Sequence, residues 1–430
     1  MPGELKPRIL RFEIGKEEKG ETIKSFLMRR VGFSSKQLSR FKYRKDGILL
    51  NGEKRYVNAG LSEGDVLEIR LTQGGEPVEA HPHDALTGGT PREDDQMPGY
   101  QRARDGRLQK IWAAPAGWLE ENHPLRILYE DQDILAADKP SGVVCHPSPG
   151  HYDDTLSNQV AQHLGRIGQE LDVRVTGRLD RDTSGIVIFA LNTETAAQLI
   201  KQRQEALKNR SDASTPAPAP ASALRQMTSG NCFKLYIARV RGRFLALTGT
   251  VDLPLRRESQ DSFRMIASPD GKKARTHYCV LAECPDGTSL IACRIEHGRT
   301  HQIRVHMAET GHPIVGDRLY GPETSQALQE SAGTGAVMYG YGPEASQALQ
   351  DSAGTGTVMY RYGPEVSQDS IGTGAVMHGP EASQALQDSG MTGVLMLHAY
   401  RAVFRQPFTG KEIRIEAPLP DWASGSGLLI

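Results

Sequence analysis

Apolar positions in the first part of the chain follow a helical period. Ile23, Phe26 and Leu27 recur at that spacing until Gly32 interrupts them, and Leu38 and Phe41 repeat it after Ser34 and Ser35, either of which can cap a second helix. The pattern then changes to short runs in "GILLNGEKRYVNAGLSEGDVLEIRL", broken at Asn51-Gly52 and Gly64-Asp65, two hairpin-type dipeptides. Two helices and a small sheet are predicted over residues 1–72. Residues 73–123 are rich in Gly, Pro and Asp and keep no apolar period, which reads as a linker. Further on, Val173 to Thr176 and Ile186 to Leu191 read as strands with Arg178 to Gly185 as the loop between them, Gly185 permitting a tight return. Asn192 can cap the helix "TETAAQLIKQRQEA" that follows. "FKLYIARVRGRF" alternates as a strand, with Tyr236 on the face of Lys234 and Ala238. Thr300 can cap a short helix ended by Gly311, placing Arg304 one turn from His301 and Ala308.

Two stretches break these patterns. Residues 207–230 contain a Pro/Ala/Ser run that forms no core and reads as an exposed insertion. In residues 321–393 a motif restarts at Tyr320, Tyr341 and Tyr362, with a shortened copy from Gly379. A period near 20 residues can mean a solenoid, but each copy offers few apolar residues (Leu328, Ala336, Val337 and Met338 in the first). Tandem expansion of one surface loop is the expectation.

Charge is informative only when split by region. Residues 1–71 hold 16 Lys/Arg against 10 Asp/Glu, whereas residues 320–393 hold one Arg and 8 acids, so the formal net charge of -1 masks a basic front end. Lys24, Arg29, Arg30, Lys36, Arg40, Lys42, Arg44 and Lys45 lie on or just after the two N-terminal helices, with no acid between Lys24 and Lys45. A solvated helical face is the bland reading; a face of one sign at that density favours phosphate contact. The five cysteines show no CxxC spacing, so neither a metal knuckle nor a disulfide framework is suggested. No signal-peptide core and no run of 18 apolar residues occurs, and a soluble, cytoplasmic, monomeric protein without a membrane partner is expected.

The candidate chemistry gathers in "GRLDRDTSGIVIFALN". Charges beside a buried strand are costly unless paired, so Arg178, Asp180, Arg181 and Asp182 either order the loop as an ion network or include a reactive group. A carboxylate flanked by Arg178 and Arg181 would stay ionised at neutral pH, which makes Asp180 or Asp182 a candidate nucleophile rather than a general acid. The DxD spacing invites a metal, but no further carboxylates or phosphate-cradling loop accompany it. Tyr236, as a strand tyrosine, reads as packing when taken alone. In "HGRTHQIRVHMAETGHPIVGD" the histidines His301, His306 and His312 could suggest zinc; the nearby arginines oppose a cation and no ligand spacing is completed.

In order along the chain, "DKPSGVVCHP", "GRLDRDTSGIVIFALN", "KLYIARVRG", "GRTHQIRVHMAETGHPIVGDRLYG" and "LHAYRAVFRQPFTGKEIRIEAPLPDW" resemble the motifs of the RluA-type pseudouridine synthases, and "VDLPL" and "DGKKARTHY" also fit. Residues 10–72 resemble the α-L RNA-binding module. The resemblance implies an α+β catalytic domain over residues 124–425, built on a mixed, mainly antiparallel sheet with flanking helices and carrying the insertions. It implies an isomerase that needs neither cofactor nor metal and converts uridine in RNA, ribosomal RNA before transfer RNA, to pseudouridine. By motif, Asp180 is the catalytic aspartate attacking the ribose or the uracil ring, Tyr236 the tyrosine that stacks on uracil and helps remove the proton from its carbon 5, and Arg304 the arginine paired with the aspartate. Arg178, Arg181, Arg299 and His301 are then candidates for holding the nucleotide, and Arg29, Arg30, Arg40 and Lys42 for holding RNA on the N-terminal module. Many members of the family have His where this chain has Gly177. Two other classes stay open: a non-catalytic RNA-binding protein with a blocked cleft, and a glycosidase of free nucleosides, against which the basic front end argues.

Overall fold

The computed structural model describes residues 8–71, 122–208, 220–228, 233–321 and 393–424, except 43, 45, 149–150, 168–172 and 261, together with strands at 100–102, 108–110 and 358–361. The N-terminal unit runs β1 (Ile9–Glu13), α1 (Ile23–Phe26) with a wider π turn over Leu27–Val31, α2 (Ser35–Lys42), β2 (Ile48–Leu50), β3 (Glu53–Lys54) and β4 (Val66–Arg70). Its sheet is antiparallel in the order β1-β4-β2-β3. Local chemistry sets the element ends. The Thr22 hydroxyl accepts the Ser25 N–H at 3.1 Å, and Gly32 stops the turn in the left-handed region. Ser34 is the cap of α2: its hydroxyl accepts the Gln37 N–H at 3.3 Å while the Gln37 side chain accepts the Ser34 N–H at 2.8 Å. Asn51 and Gly52, both at positive φ, make the tight turn between β2 and β3. Ile23, Phe26, Leu27, Phe33, Leu38, Phe41, Leu67 and Ile69 fill the core between helices and sheet.

Residues 73–123, expected to be irregular, contain a hairpin of β5 (Tyr100–Arg102) and β6 (Leu108–Lys110). The large unit then follows with β7 (Arg126–Glu130), β8 (Ile134–Lys139), α3 (Leu156–Arg166), β9 (Arg174–Val175), β10 (Ser184–Ala190), α4 (Thr193–Lys208), α5 (Pro220–Thr228), β11 (Phe233–Arg241), β12 (Thr248–Asp252), β13 (Leu255–Arg257), β14 (Met265–Ala267), β15 (Arg275–Glu283), β16 (Thr288–Ile295), α6 (Gln302–Glu309), β17 (Val358–Arg361), β18 (Leu397–Arg405), β19 (Glu412–Glu416) and α7 (Asp421–Ser424). Its sheet runs β17-β12-β15-β16-β11-β18-β10-β8-β7, with β19 on β18 and β9 on β10. Among the described strands only β10–β18 and β12–β17 pair in parallel. The fold is α+β on a mixed, mainly antiparallel sheet, as expected. No described helix is long and apolar enough to cross a membrane.

β10 lies deep in this sheet because both of its faces are apolar. Val187 and Phe189 pack into one core, while Ile186, Ile188 and Ala190 pack into another. Gly185 at its start lies so close to β18 that a Cβ would fall 2.3 Å from the Ala399 carbonyl oxygen, so the tight return needs glycine. Asn192 caps α4 by accepting the Thr195 N–H at 2.8 Å.

Both insertions depart from expectation. Within 207–230, residues 207 and 208 finish α4, and α5 packs on the sheet through buried Met227 and neighbouring Leu224, its Met227 carbonyl accepting a bond from Arg294. An Ala/Pro-rich composition hid a helix that docks through Met227 and Leu224. Within 321–393, the described strand β17 extends the sheet beside β12, where an exposed backbone edge accepts any strand of suitable register. The rest of the repeats lie outside the described residues.

Candidate active site

The loop from Gly177 to Gly185 is held by its backbone. Lys139, at the end of β8 and with 0% exposure, donates from Nζ to the carbonyls of Arg181 (2.7 Å), Val143 (2.7 Å) and Pro140 (2.8 Å). Burial pushes its pKa down to about 8. Ser141 donates to the Asp182 carbonyl at 2.7 Å, and the Gly142 N–H to the Arg181 carbonyl at 3.0 Å. The Cys145 sulfur accepts the Leu179 N–H at 3.2 Å and donates to the Leu179 carbonyl at 3.3 Å, one residue before Asp180. From β11, Lys234 bonds the carbonyls at both ends of the loop, Gly177 at 3.1 Å and Ile186 at 2.9 Å. The Asp180 side chain is nonetheless 26% exposed and takes no hydrogen bond from the described residues.

Arg304 on α6 is the cation that faces it, Nη1 lying 3.8 Å from Asp180 Oδ2. The same guanidinium donates to Asp317 through Nε at 2.7 Å and Nη2 at 2.8 Å, and Asp317 has a fully buried side chain. Burial opposes the charge of Arg304; the bidentate pair outweighs it and keeps the guanidinium protonated. Tyr320 lies under Arg304, its ring centroid 5.1 Å from the guanidinium carbon, and its hydroxyl accepts the Met265 N–H and meets His301 Nδ1 at 2.8 Å. His301, rather than Thr300, precedes α6, in left-handed backbone at φ 54°, and burial pushes its pKa down. A non-glycine residue at that φ is strained, which marks this end of α6 as locally over-determined by its contacts.

Tyr236 on β11 is 6% exposed and follows a bulge between Leu235 and Tyr236 where β11 meets β18. Such a bulge re-aims a side chain. Burial pushes its pKa up to about 12, and its phenol feels the Asp180 charge. The loop, α6 and β11 thus bring Asp180, Arg304 and Tyr236 together.

The other candidates scatter. Arg178 reaches Thr300 at 3.4 Å, and Arg181 turns back to Asp182 at 3.0 Å, so neither flanking arginine pairs with Asp180. Closeness in sequence suggested a pairing that the fold gives to other partners. Arg299 donates to the Lys273 carbonyl at 3.0 Å beside the site. The histidines diverge: His306 is buried between Thr276 and the Leu253 carbonyl, and His312 stacks on Phe244. Among the described residues no group of His, Cys, Asp or Glu is placed to hold a metal ion. On the N-terminal unit Arg30 and Lys42 are exposed and Arg40 half-buried, while Arg29 pairs with Glu21 at 2.5 Å; the Lys36 side chain and Lys45 lie outside the described residues. Lys139, Cys145, Lys234, Asp317 and Tyr320 were not singled out from sequence. Asp317 and Tyr320 stand in "GDRLYG", but nothing local in that stretch says that its aspartate binds Arg304.

The family model described as RNA pseudouridylate synthase matches residues 133–210 and 215–309. The uncharacterized RNA pseudouridine synthase YjbO of Bacillus subtilis is 30% identical over 291 residues, which is 68% of this chain and 81% of that protein. The chain belongs to the RluA-type family of RNA pseudouridine synthases. YlyB of Bacillus subtilis, an uncharacterized RNA pseudouridine synthase, is 37% identical over 207 residues, 47% of this chain and 60% of that one. Ribosomal large subunit pseudouridine synthase D of Nitrosomonas europaea is 34% identical over 237 residues, 51% of this chain and 61% of the relative. This synthase-family chain therefore spans about 60% of the length of those two relatives. Among solved structures, human RNA pseudouridylate synthase domain containing 4 aligns with a TM-score of 0.41 and 18% identity, covering 69% of this chain and 89% of that one.

Proposed function

We propose that the protein isomerises specific uridines in RNA to pseudouridine, with Asp180 as the nucleophile. The observation that carries this reading is a carboxylate on a backbone-pinned loop, partly exposed, accepting no hydrogen bond from the described residues, and 3.8 Å from a buried arginine whose Nε and Nη2 are engaged by Asp317. Such a group resembles the nucleophile of a retaining glycosidase, except that the detached base is kept and reattached. In that sequence the Asp180 carboxylate bonds to the anomeric carbon or to the uracil ring, and the bond from N1 to the ribose breaks. The uracil then turns, its carbon 5 bonds to the ribose, the bond to Asp180 breaks and returns the free carboxylate, the hydrogen on carbon 5 leaves as a proton, and N1 gains one. Atoms balance without an outside reactant.

Tyr236 supplies a face on which an extruded uracil stacks, worth roughly 1–3 kcal/mol per base. Burial pushes its pKa up to about 12, so its phenol is protonated in the free protein at neutral pH. The substrate assigned is ribosomal RNA of the large subunit. Support comes from relatives named ribosomal large subunit pseudouridine synthase D in Nitrosomonas europaea, Xanthomonas campestris and Pseudomonas aeruginosa, and from the basic N-terminal unit, which resembles an α-L module. The test is release of tritium from ribosomal and transfer RNA labelled at uridine carbon 5, wild type against Asp180→Asn. Release by wild type alone is expected. Release by both removes Asp180 from the chemistry, and release by neither moves the chain to a binding role.

A further inference from the structure

The N-terminal unit is keyed into the large one by a buried carboxylate. Asp133, in the turn between β7 and β8, is 1% exposed. Its Oδ1 accepts from Arg8 Nε at 3.1 Å and Asn192 Nδ2 at 3.0 Å, and its Oδ2 from Arg8 Nη2 at 3.0 Å and Gln406 Nε2 at 2.9 Å. Arg8 stands just before β1, Asn192 caps α4, and Gln406 follows β18, so one side chain ties the N-terminal strand to three segments around β10. A bidentate arginine on a buried carboxylate is a strong and geometrically specific contact. A second contact lies nearby: Gln198 of α4 donates to the Gly32 carbonyl at 2.8 Å, and Phe33 packs edge-on against Phe408 with ring centroids 6.4 Å apart.

From that contact α4 leads to the cleft. Lys201 is exposed, pairs loosely with Glu205 at 3.8 Å, and has its Nζ 3.4 Å from where a Gly32 Cβ would stand, two residues after Arg30. Arg203 lies against Gly298, next to Arg299 and Thr300 of the site, and carries no hydrogen bond or ion pair among the described residues. At about 1.5 Å per residue, Gln198 and Arg203 are roughly 7.5 Å apart along the helix, so little more than one turn of α4 separates the residue that meets the N-terminal unit from the one beside the Asp180 site.

We propose that the latch of Arg8 on Asp133 fixes the N-terminal unit against α4 so that one RNA strand is gripped without a break from Arg30 over Lys201 and Arg203 into the Asp180 cleft. This rests on the isomerase reading for what happens in the cleft, not for the grip itself. Residues 73–123 connect the two units in sequence, and a connection of that length used only as a tether would present the module at an effective concentration that falls with about the −3/2 power of length. A latch replaces that dilution with preorganisation.

The test measures RNA affinity and tritium release with the full chain, on a long large-subunit ribosomal RNA fragment and on a short stem-loop cut from it that can occupy only the cleft. Arg8→Ala and, separately, Gln198→Ala are expected to weaken affinity for the long RNA on the order of tenfold while leaving the stem-loop unchanged. Lys201→Ala and Arg203→Ala are each expected to lower the slope of log affinity against log salt by about 1. The proposal is overturned if both latch variants bind the long RNA as wild type does, if they weaken both RNAs equally, or if neither salt slope moves. A wild type that releases no tritium strikes the isomerase reading alone, because the affinity measurements still decide the latch.

Discussion

Arg304 lies between two aspartates held by differently built regions. Asp317 is fully buried, takes both charged bonds from the guanidinium, and accepts the N–H groups of Leu319 at 2.9 Å and Tyr320 at 3.1 Å. Asp180 stands on a loop whose backbone is pinned by Lys139, Ser141, Cys145 and Lys234, yet its carboxylate is bonded to none of the described residues. One aspartate spends its charge on position, while the other, on the proposed reading, keeps its charge for a reactant. The buried carboxylate aims the arginine, and a gap of 3.8 Å leaves the open carboxylate beyond hydrogen-bond range, which is how a cation could serve the proposed nucleophile without quenching it.

The largest way to break this comparison is to neutralise the open carboxylate. Asp180→Asn is expected to lower tritium release by at least about 10³-fold, while thermal stability and RNA affinity stay close to wild type because the loop is held by its backbone. Substantial release by that variant would mean that the exposed side chain is not the nucleophile. The buried partner should respond in the opposite way. Asp317→Ala leaves the Arg304 charge buried and uncompensated and is expected to cost about 3–5 kcal/mol in urea unfolding. Asp317→Asn, which keeps the shape, should lower kcat on the order of tenfold or more with RNA affinity little changed. Full kcat in the Asn variant would show that Asp317 does not aim Arg304.

Acidity tests two buried histidines, His306 on α6 and His398 on β18. Burial lowers the pKa of both His306 and His398 to about 4, and each is neutral in the folded protein at pH 7. Below pH 6.5 the unfolded chain takes up these protons and the folded one does not, so stability falls as pH drops from about 6.5 to about 4, by roughly 3 kcal/mol per histidine. Urea midpoints at several pH values should show this fall, with a shallower one in His306→Gln; parallel slopes would assign the acid sensitivity to other groups. The smallest effect belongs to the loop surface. Arg181 pairs with Asp182 in the open, so Arg181→Ala should change stability by less than about 1 kcal/mol. A larger loss would mean that the exposed pair, rather than the backbone clamp, orders the loop.

Much of this architecture was legible from local pattern. The Ser34 cap, the Asn51-Gly52 turn, the cap at Asn192 and the buried strand β10 follow from residues a few places apart, which is the range over which side-chain caps, turn preferences and apolar runs act. Motif resemblance, not spacing, selected Asp180, Tyr236 and Arg304. What local pattern misjudged was decided by contacts at long range: α5 looked coreless until Met227 met the sheet, and the arginines beside Asp180 looked like its partners until each bonded elsewhere.

By itself the sequence determined the caps and turns of the N-terminal unit, the cap at Asn192, that a basic segment opens the chain, and that a charged loop meets a buried strand. Only the tertiary structure decided that Arg304 is shared between Asp317 and Asp180, that a buried lysine amine pins the loop carbonyls, and that Arg8 closes on Asp133. Caps and turns are energies of a short segment. The pairing of buried charges depends on which distant segments exclude water together, and that is settled when the sheet assembles.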